Sequence, residues 1–408
     1  MIPTFQTTET AFRFLAALGL GFALFLTPLA ALGSMGFYNI WAVFGILLVS
    51  GVLARSELIQ SFVSLWTYSI EFPNHKADGS FLEQINLPLL STELLFLILT
   101  YLVSINFINI IRPMPIGWDD LGVYMNFPQI MANSGAILHG AGMTAWQTLT
   151  GIGFMFHSAP QAFFLNQIGG ILSIVVLTVA FGSLLKDEKK SLINLPLLGA
   201  TMFYAMPMVI FQQAKDMKLD PGLFFVSCIS IYGIIHLLLQ YKKSLESDGT
   251  PTGGILHFFD HRQNLLYIFL FGIVAGLAFA IKFTTLMLIL GLVGVIFFAK
   301  LGLSGFFGYF AAFVALFTQF RLWGQLNVSY PKDDTALLQQ VTIASVLLAA
   351  IFFASAWKKH HTIAFKKAFL VTLVFIAGIT LPIAPWIVKN ISETGLRGFS
   401  VNAMLSGK

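Results

Sequence analysis

Charge is what this sequence has least of. Only 10% of its 408 residues are Asp, Glu, Lys or Arg, against about 25% in a soluble domain. With 57% hydrophobic residues and a mean hydropathy of +0.82, the chain lacks the polar surface that keeps a protein in water. That excludes an ordinary soluble enzyme and makes the bilayer its solvent. Cysteine is nearly absent. Cys228 is the only one, so no intrachain disulfide can form, and its apolar neighbours make it an inert small hydrophobe. No P-loop, no GxGxxG following a strand and no HExxH occurs, so no nucleotide or zinc-protease site is legible. The net charge of 23 − 18 = +5 does not point to nucleic acid. The cations sit in short loops, where they set membrane orientation.

Long apolar runs are what is there. A spanning helix needs about 20 apolar residues. Between Arg13 and Arg55 lie 41 uncharged residues, enough for two helices turning near Gly33 to Asn39. The first run begins near Phe14 and is longer than the 7–15 residues of a signal peptide's apolar region. It reads as an uncleaved helix. The apolar stretch 58–70 is too short to span and reads as interfacial. Further spans are expected at about 88–110, 162–185, 192–211 and 222–240. The 37 residues between Arg262 and Lys300 hold one charge, Lys282. As a single helix they would be about 56 Å long, roughly twice the hydrocarbon core. They therefore read as two helices with Lys282 at the turn. Spans at about 303–320, 337–357 and 368–388 complete an all-α bundle of about eleven transmembrane helices. The segment 112–160 carries two short apolar-patterned pieces, around Leu121 to Met125 and Met143 to Leu149, expected to lie along the membrane surface. The spacing of Gly272 with Gly276, and of Gly302, Gly305 and Gly308, reads as close helix packing.

With the N-terminus inside, 14 of the 23 Lys and Arg fall on the inner side and 23 − 14 = 9 on the outer. The dense clusters Lys186 to Lys190 and Lys358 to Lys367 both fall inside. The positive-inside rule therefore places the N-terminus in the cytoplasm.

Several polar residues then gather on the outer side. Trp118-Asp119-Asp120 follows the third span. Paired carboxylates there can act as a general base or hold a divalent cation. The plain alternative is a helix cap. Lys215, Asp216, Lys218 and Asp220 lie between spans five and six, and Asp220 before Pro221 is well placed to start a helix. Lys282 is a charge amid apolar sequence, a functional candidate by default unless its stem only reaches to the headgroups. Arg112 and Arg321 pose the same question. Pro385-Trp386 with Lys389-Asn390 ends the last span, where a Trp is usually an interfacial anchor. His139 and His157 form no metal-ligand pattern, and no metal site is assigned beyond the cation that Asp119 and Asp120 could hold.

Together these residues resemble the polyprenyl-phosphate-sugar-dependent glycosyltransferases of the GT-C fold, in particular the dolichyl-phosphate-mannose mannosyltransferase-like and aminoarabinose-transferase-like branch. The resemblance runs from about Pro88 to Asn390. Asp119 and Asp120 match that family's acidic pair in the first large outer loop, and Asp216 or Asp220 its next outer acid. Lys282-Phe283-Thr284 matches a Lys-aromatic-Thr helix end, and Pro385 to Asn390 a Pro-Trp helix end with a nearby Lys-Asn. The chain departs from the pattern in two ways. Its acidic pair follows the third helix, not the first, and it stops near the membrane where many relatives carry an outer domain. The resemblance therefore divides the chain into 1–87, two extra N-terminal helices and an inner interfacial segment, and 88–408, a catalytic transmembrane module.

It implies an inverting transfer of sugar from a polyprenyl-phosphate donor to an acceptor hydroxyl on a glycan, lipid or protein, at the extracytoplasmic face. Asp119 or Asp120 would be the base, with Lys282, Lys215, Lys218, Asp216 and Asp220 binding donor phosphate or substrate. The rival class is a transporter or flippase, which commonly needs ionisable groups at the membrane midplane. Here the spans are nearly free of charge, with Glu93 one turn inside the third. A third possibility is a scaffold in which the acidic residues are only caps.

Overall fold

A computed structural model describes residues 8–56, 59, 87–110, 123–137, 144–185, 193–214, 217–247, 262–323 and 334–395. All regular structure among them is helical: α1 (Thr8–Ser34), α2 (Ile40–Leu53), α3 (Leu87–Ile110), α4 (Asn126–Ser134), α5 (Ala145–Met155), α6 (Ala159–Leu184), α7 (Leu195–Tyr204), α8 (Pro207–Ala214), α9 (Asp220–Ser247), α10 (Arg262–Ile281), a 3₁₀ turn (Phe283–Thr285), α11 (Leu286–Gln319) and α12 (Thr335–Thr394). Eight helical segments among the described residues are long and apolar enough to cross a membrane, and the bent pair α7–α8 makes up to nine. Large apolar side chains on their outer faces, such as Trp41, Leu97, Leu303 and Ile351, are exposed, as lipid-facing surface requires. The protein is a multi-pass helical membrane protein.

Helix starts follow local chemistry. Asn39, Ser158, Asn194 and Asp334 each accept a hydrogen bond from the backbone N–H three residues on, which satisfies a donor the helix cannot pair itself. The turn expected near Gly33 to Asn39 lies between α1 and α2. It is tied to the end of α4 by Tyr38 N–H donating to Gly135 O at 2.7 Å and Ile137 N–H to Gly33 O at 3.0 Å.

Three elements depart from the sequence reading. First, α2 has 14 residues and is about 21 Å long, short of the 30 Å hydrocarbon core. Second, the span expected at 192–211 is broken: α7 and α8 meet at 65°, because Pro207 has no N–H to continue the ladder. Third, the second expected surface piece does not lie on a surface. Residues Ala145 to Phe154 of α5 are buried, held by Tyr38, whose hydroxyl donates to Thr148 O at 2.6 Å, and by Phe22, stacked on Trp146. Small and apolar residues dominate α5, and its polar residues Gln147, Thr148 and Thr150 are buried with them. The interfacial segment expected at 58–70 lies, apart from Ile59, outside the described residues.

Helices α11 and α12 each double back. The rings of Phe297 and Tyr309 stack with centroids 5.1 Å apart, whereas a straight helix would separate those residues by about 18 Å. The reversal is at Gly302, with φ 65 and ψ −164, a conformation open essentially to glycine alone. In α12, Phe353 and Phe369 both touch the ring of Phe297, although a straight helix would hold them about 24 Å apart. The chain between them, which includes the basic run from Lys358, folds back.

One hydrophobic core joins α1, α5, α9, α10, α11 and α12, so α1 is built into the bundle. Glycines set the closest approaches. A Cβ on Gly272 would overlap Phe375 O, one on Gly276 would overlap Ile379 O, and one on Gly378 would overlap Phe269 O. The expected small-residue packing is present at Gly272 and Gly276, where it joins α10 to the second arm of α12 with both running the same way; Gly302, expected to pack in the same manner, instead makes the reversal. Gly308 packs on Phe353 in the same manner.

Candidate functional site

The site is at the end of the bundle where α9 begins and α10 ends. Gly233 of α9 packs against Phe271 of α10 and the two helices run antiparallel. Moving from that contact toward the start of α9 and the end of α10 brings Asp220 level with Lys282. Lys282 Nζ donates to Asp220 Oδ1 at 2.6 Å, with the side chains 36% and 32% exposed. Lys282 is held by its own turn: its N–H reaches Ala278 O at 3.1 Å and its carbonyl accepts from Thr285 N–H at 3.1 Å and from Thr285 Oγ1–H at 2.7 Å. Two of the candidates named from sequence are thus in contact. Asp220 starts its helix as expected, and its carboxylate also bridges to another helix. The 2.6 Å distance is that of a charge-assisted hydrogen bond.

A shell of buried polar groups surrounds the start of α9. Trp146 lies over Gly222, and Gly169 packs on Gly222. The Trp146 indole N–H donates to Asn166 O at 3.3 Å and Asn166 Nδ2 donates to Lys218 O at 3.3 Å. Ser173 Oγ donates to Pro221 O at 3.3 Å. These contacts fix the backbone of 218–221, and so the direction of Asp220. Close by, Gln213 of α8 is buried against Gly170. Neither end of its amide has a hydrogen-bond partner among the described residues, and the same holds for Gln147 Oε1, Gln167 Nε2 and Asn166 Oδ1. Sequence reasoning missed these amides. Their signal was an Asn or Gln inside an otherwise apolar helix, as at Asn166-Gln167.

The end of α12 lies at the same level. The parallel glycine contacts of α10 with α12 bring Lys282 level with Pro385. Trp386 is buried at 2% exposure, Lys389 at 4% and Asn390 at 3%. Trp386 therefore faces the protein core, and the interfacial anchor expected of it is not what it forms: the tight glycine crossing draws this face of α12 inward. Lys389 Nζ lies 3.8 Å from Glu393 Oε1, one turn along the same helix. Lys300, read as an inner-loop cation, is buried beside the Gly302 reversal.

Asp119, Asp120, Lys215, Asp216, His139 and Arg112 lie outside the described residues. Arg321 sits just past the end of α11 with a positive φ of 54, and His157 is the matching positive-φ residue between α5 and α6. Among the described residues no three His, Cys, Asp or Glu gather as metal ligands would. Compared with protein-family models, with curated proteins and with solved structures, the chain matches none.

Proposed function

We propose that this protein is a GT-C-type glycosyltransferase that moves a sugar from a polyprenyl-phosphate donor to an acceptor hydroxyl, inverting the anomeric centre, at the extracytoplasmic face. The observation that supports it best is the Lys282–Asp220 pair. It joins two residues matching the family's motifs at one end of an apolar bundle, beside the buried Trp386, Lys389 and Asn390.

In this reading Asp119 or Asp120 takes the proton from the acceptor hydroxyl. The acceptor oxygen forms a bond to the anomeric carbon as the bond from that carbon to the phosphate oxygen breaks. The phosphate leaves from the opposite face with the bonding electrons, as in single-displacement inversion. Asp220 takes one of the three N–H donors of Lys282 and holds the ammonium in place. The others point at the departing phosphate, with Lys215 and Lys218 adding positive charge. Asp216, next to Lys215 in the sequence, is assigned to substrate binding with them. The topology that goes with this counts α2, shorter than the hydrocarbon core, as the second crossing through local thinning of the bilayer, α7 and α8 as one, and each arm of α11 and α12 separately, eleven in all. The cytoplasmic side then carries the N-terminus and the basic turn of α12.

One observation favours a second reading, transport. The helix broken at Pro207 carries the buried Gln213, whose amide has no hydrogen-bond partner among the described residues, and discontinuous helices lined by polar groups are a transporter device. The experiment that separates the two is incubation of the purified protein with a panel of polyprenyl-phosphate sugars and an acceptor. Release of free polyprenyl phosphate supports transfer. Movement of intact substrate across a vesicle, with none released, supports transport.

A further inference from the structure

We infer that Trp386 and Lys389 form a phosphate-binding site at the same end of the bundle as Lys282 and Asp220. This rests on the glycosyltransferase reading, and it assigns donor recognition to two residues whose burial the sequence did not reveal. Trp386, Lys389, Asn390 and Glu393 recur at the spacing that puts residues on one face of a helix. That face is buried, at 2%, 4% and 3% exposure for the first three and 17% for the Glu393 side chain. A lysine so buried near the end of a membrane-spanning helix carries a large desolvation cost and marks a functional position.

The second observation is independent of charge. The Trp386 indole N–H is buried and has no hydrogen-bond partner among the described residues. Buried donors in folded proteins are nearly always paired, so an unpaired one has something else to meet. The chemistry of the two groups names the ligand. An indole N–H and an ammonium are both donors and neither can accept. A sugar hydroxyl or an amide could donate to Asn390 or Glu393 on the same face, but it carries no negative charge for the ammonium. A phosphate oxygen offers acceptors only, with negative charge complementary to the ammonium of Lys389. Lys389 also pairs with Glu393, 3.8 Å away, so a phosphate here shares the ammonium's three donors with that carboxylate.

Position completes the argument. Gly272 against Phe375 and Gly276 against Ile379 lock α10 and α12 in one register, and Trp386 lies close to the level of Lys282, with Lys389 about one turn beyond. An anion seated on Trp386 and Lys389 is therefore close to the Lys282 turn. The phosphate could arrive on a lipid within the bilayer or free from solution, and both would meet the same two donors.

The test uses the full chain in phosphatidylcholine nanodiscs with three probes: polyprenyl phosphate, the uncharged polyprenol of equal length, and inorganic phosphate. The readout is the thermal midpoint against probe concentration. Polyprenyl phosphate should raise the midpoint and polyprenol should not. Lys389→Met should weaken the apparent affinity at least about tenfold, the scale of a hydrogen bond to a charged group. Lys389→Arg should keep part of it, and Trp386→Phe should weaken it several-fold while leaving the unliganded midpoint near wild type. An equal response to inorganic phosphate, lost in the same variants, keeps the site and assigns it to free phosphate. Wild-type affinity in both Lys389→Met and Trp386→Phe overturns the inference. Should Lys389→Met fail to fold, Trp386→Phe alone decides. Variant-sensitive phosphate binding without sugar transfer would leave this inference standing and remove the glycosyltransferase reading. Transfer with variant-insensitive binding would do the reverse.

Discussion

Lys282 and Asp220, 62 residues apart in the chain, meet at 2.6 Å where α10 ends and α9 begins. The pair joins two helix ends that the antiparallel contact of Gly233 with Phe271 already holds in register. It is partly open to solvent, so its attraction is screened and its worth to stability is small. Its value is direction: it holds an ammonium at one end of the bundle.

A charge swap separates holding from binding. Asp220→Lys combined with Lys282→Asp should recover the part of the thermal midpoint that either single variant loses to like-charge repulsion, but not the part lost by placing a lysine at the start of α9. Activity should not return, because the cation has moved. Lys282→Met should weaken donor use strongly and Lys282→Arg only in part. Wild-type kinetics in Lys282→Met, measured as transfer rate against donor concentration, would remove the phosphate role from this residue.

The acidic pair gives the sharpest loss. Asp→Asn keeps most capping ability and removes basicity. Asp119→Asn or Asp120→Asn should express and insert normally yet lose transfer by roughly 10²-fold or more. Near-normal transfer in both single variants would show that neither is the base.

Glycine substitutions test the packing without touching the chemistry. Gly276→Ala must push Ile379 away and should lower stability by about 1–3 kcal/mol, the usual cost of overpacking. Gly302→Ala must adopt a glycine-only backbone conformation and should cost a similar amount. Gly291→Ala, with nothing within 4 Å of the added carbon, should be neutral or slightly stabilising. Thermal midpoints in one detergent compare all three, and equal midpoints would contradict the tight crossing and the reversal.

Orientation has its own test. In a Cys228→Ala background, Gly117→Cys, Lys218→Cys and Ser392→Cys should react with an impermeant thiol reagent applied from outside. Glu188→Cys and His360→Cys should not. Labelling of the last two from outside would invert the topology.

What the sequence made legible was governed by run length and local chemistry. The long spans, the turn at Lys282, the start of α9 at Asp220 and the close packing at Gly272 and Gly276 were all readable, because each depends on neighbours in the chain. Hydropathy marked two spans around Lys300, but only the contact of Phe297 with Tyr309 shows that the chain reverses at Gly302. The break at Pro207 was visible as a proline inside an apolar run and was averaged away by it. The burial of α5, of Trp386 and of Lys389 was not legible. Each depends on which helices come together, and a Trp at a helix end has the same sequence whether it faces lipid or core. The pairing of Lys282 with Asp220 likewise needed the register of two helices, which no local pattern carries.

Sugar transfer itself is the most direct measurement. The purified protein is given a polyprenyl-phosphate sugar and an acceptor, and released polyprenyl phosphate and the anomeric configuration of the product are followed together. The account predicts release in step with a glycosylated product of inverted configuration, abolished in the Asp119→Asn, Asp120→Asn double variant. Retained configuration, or no release with any donor in a folded and correctly oriented protein, would contradict it.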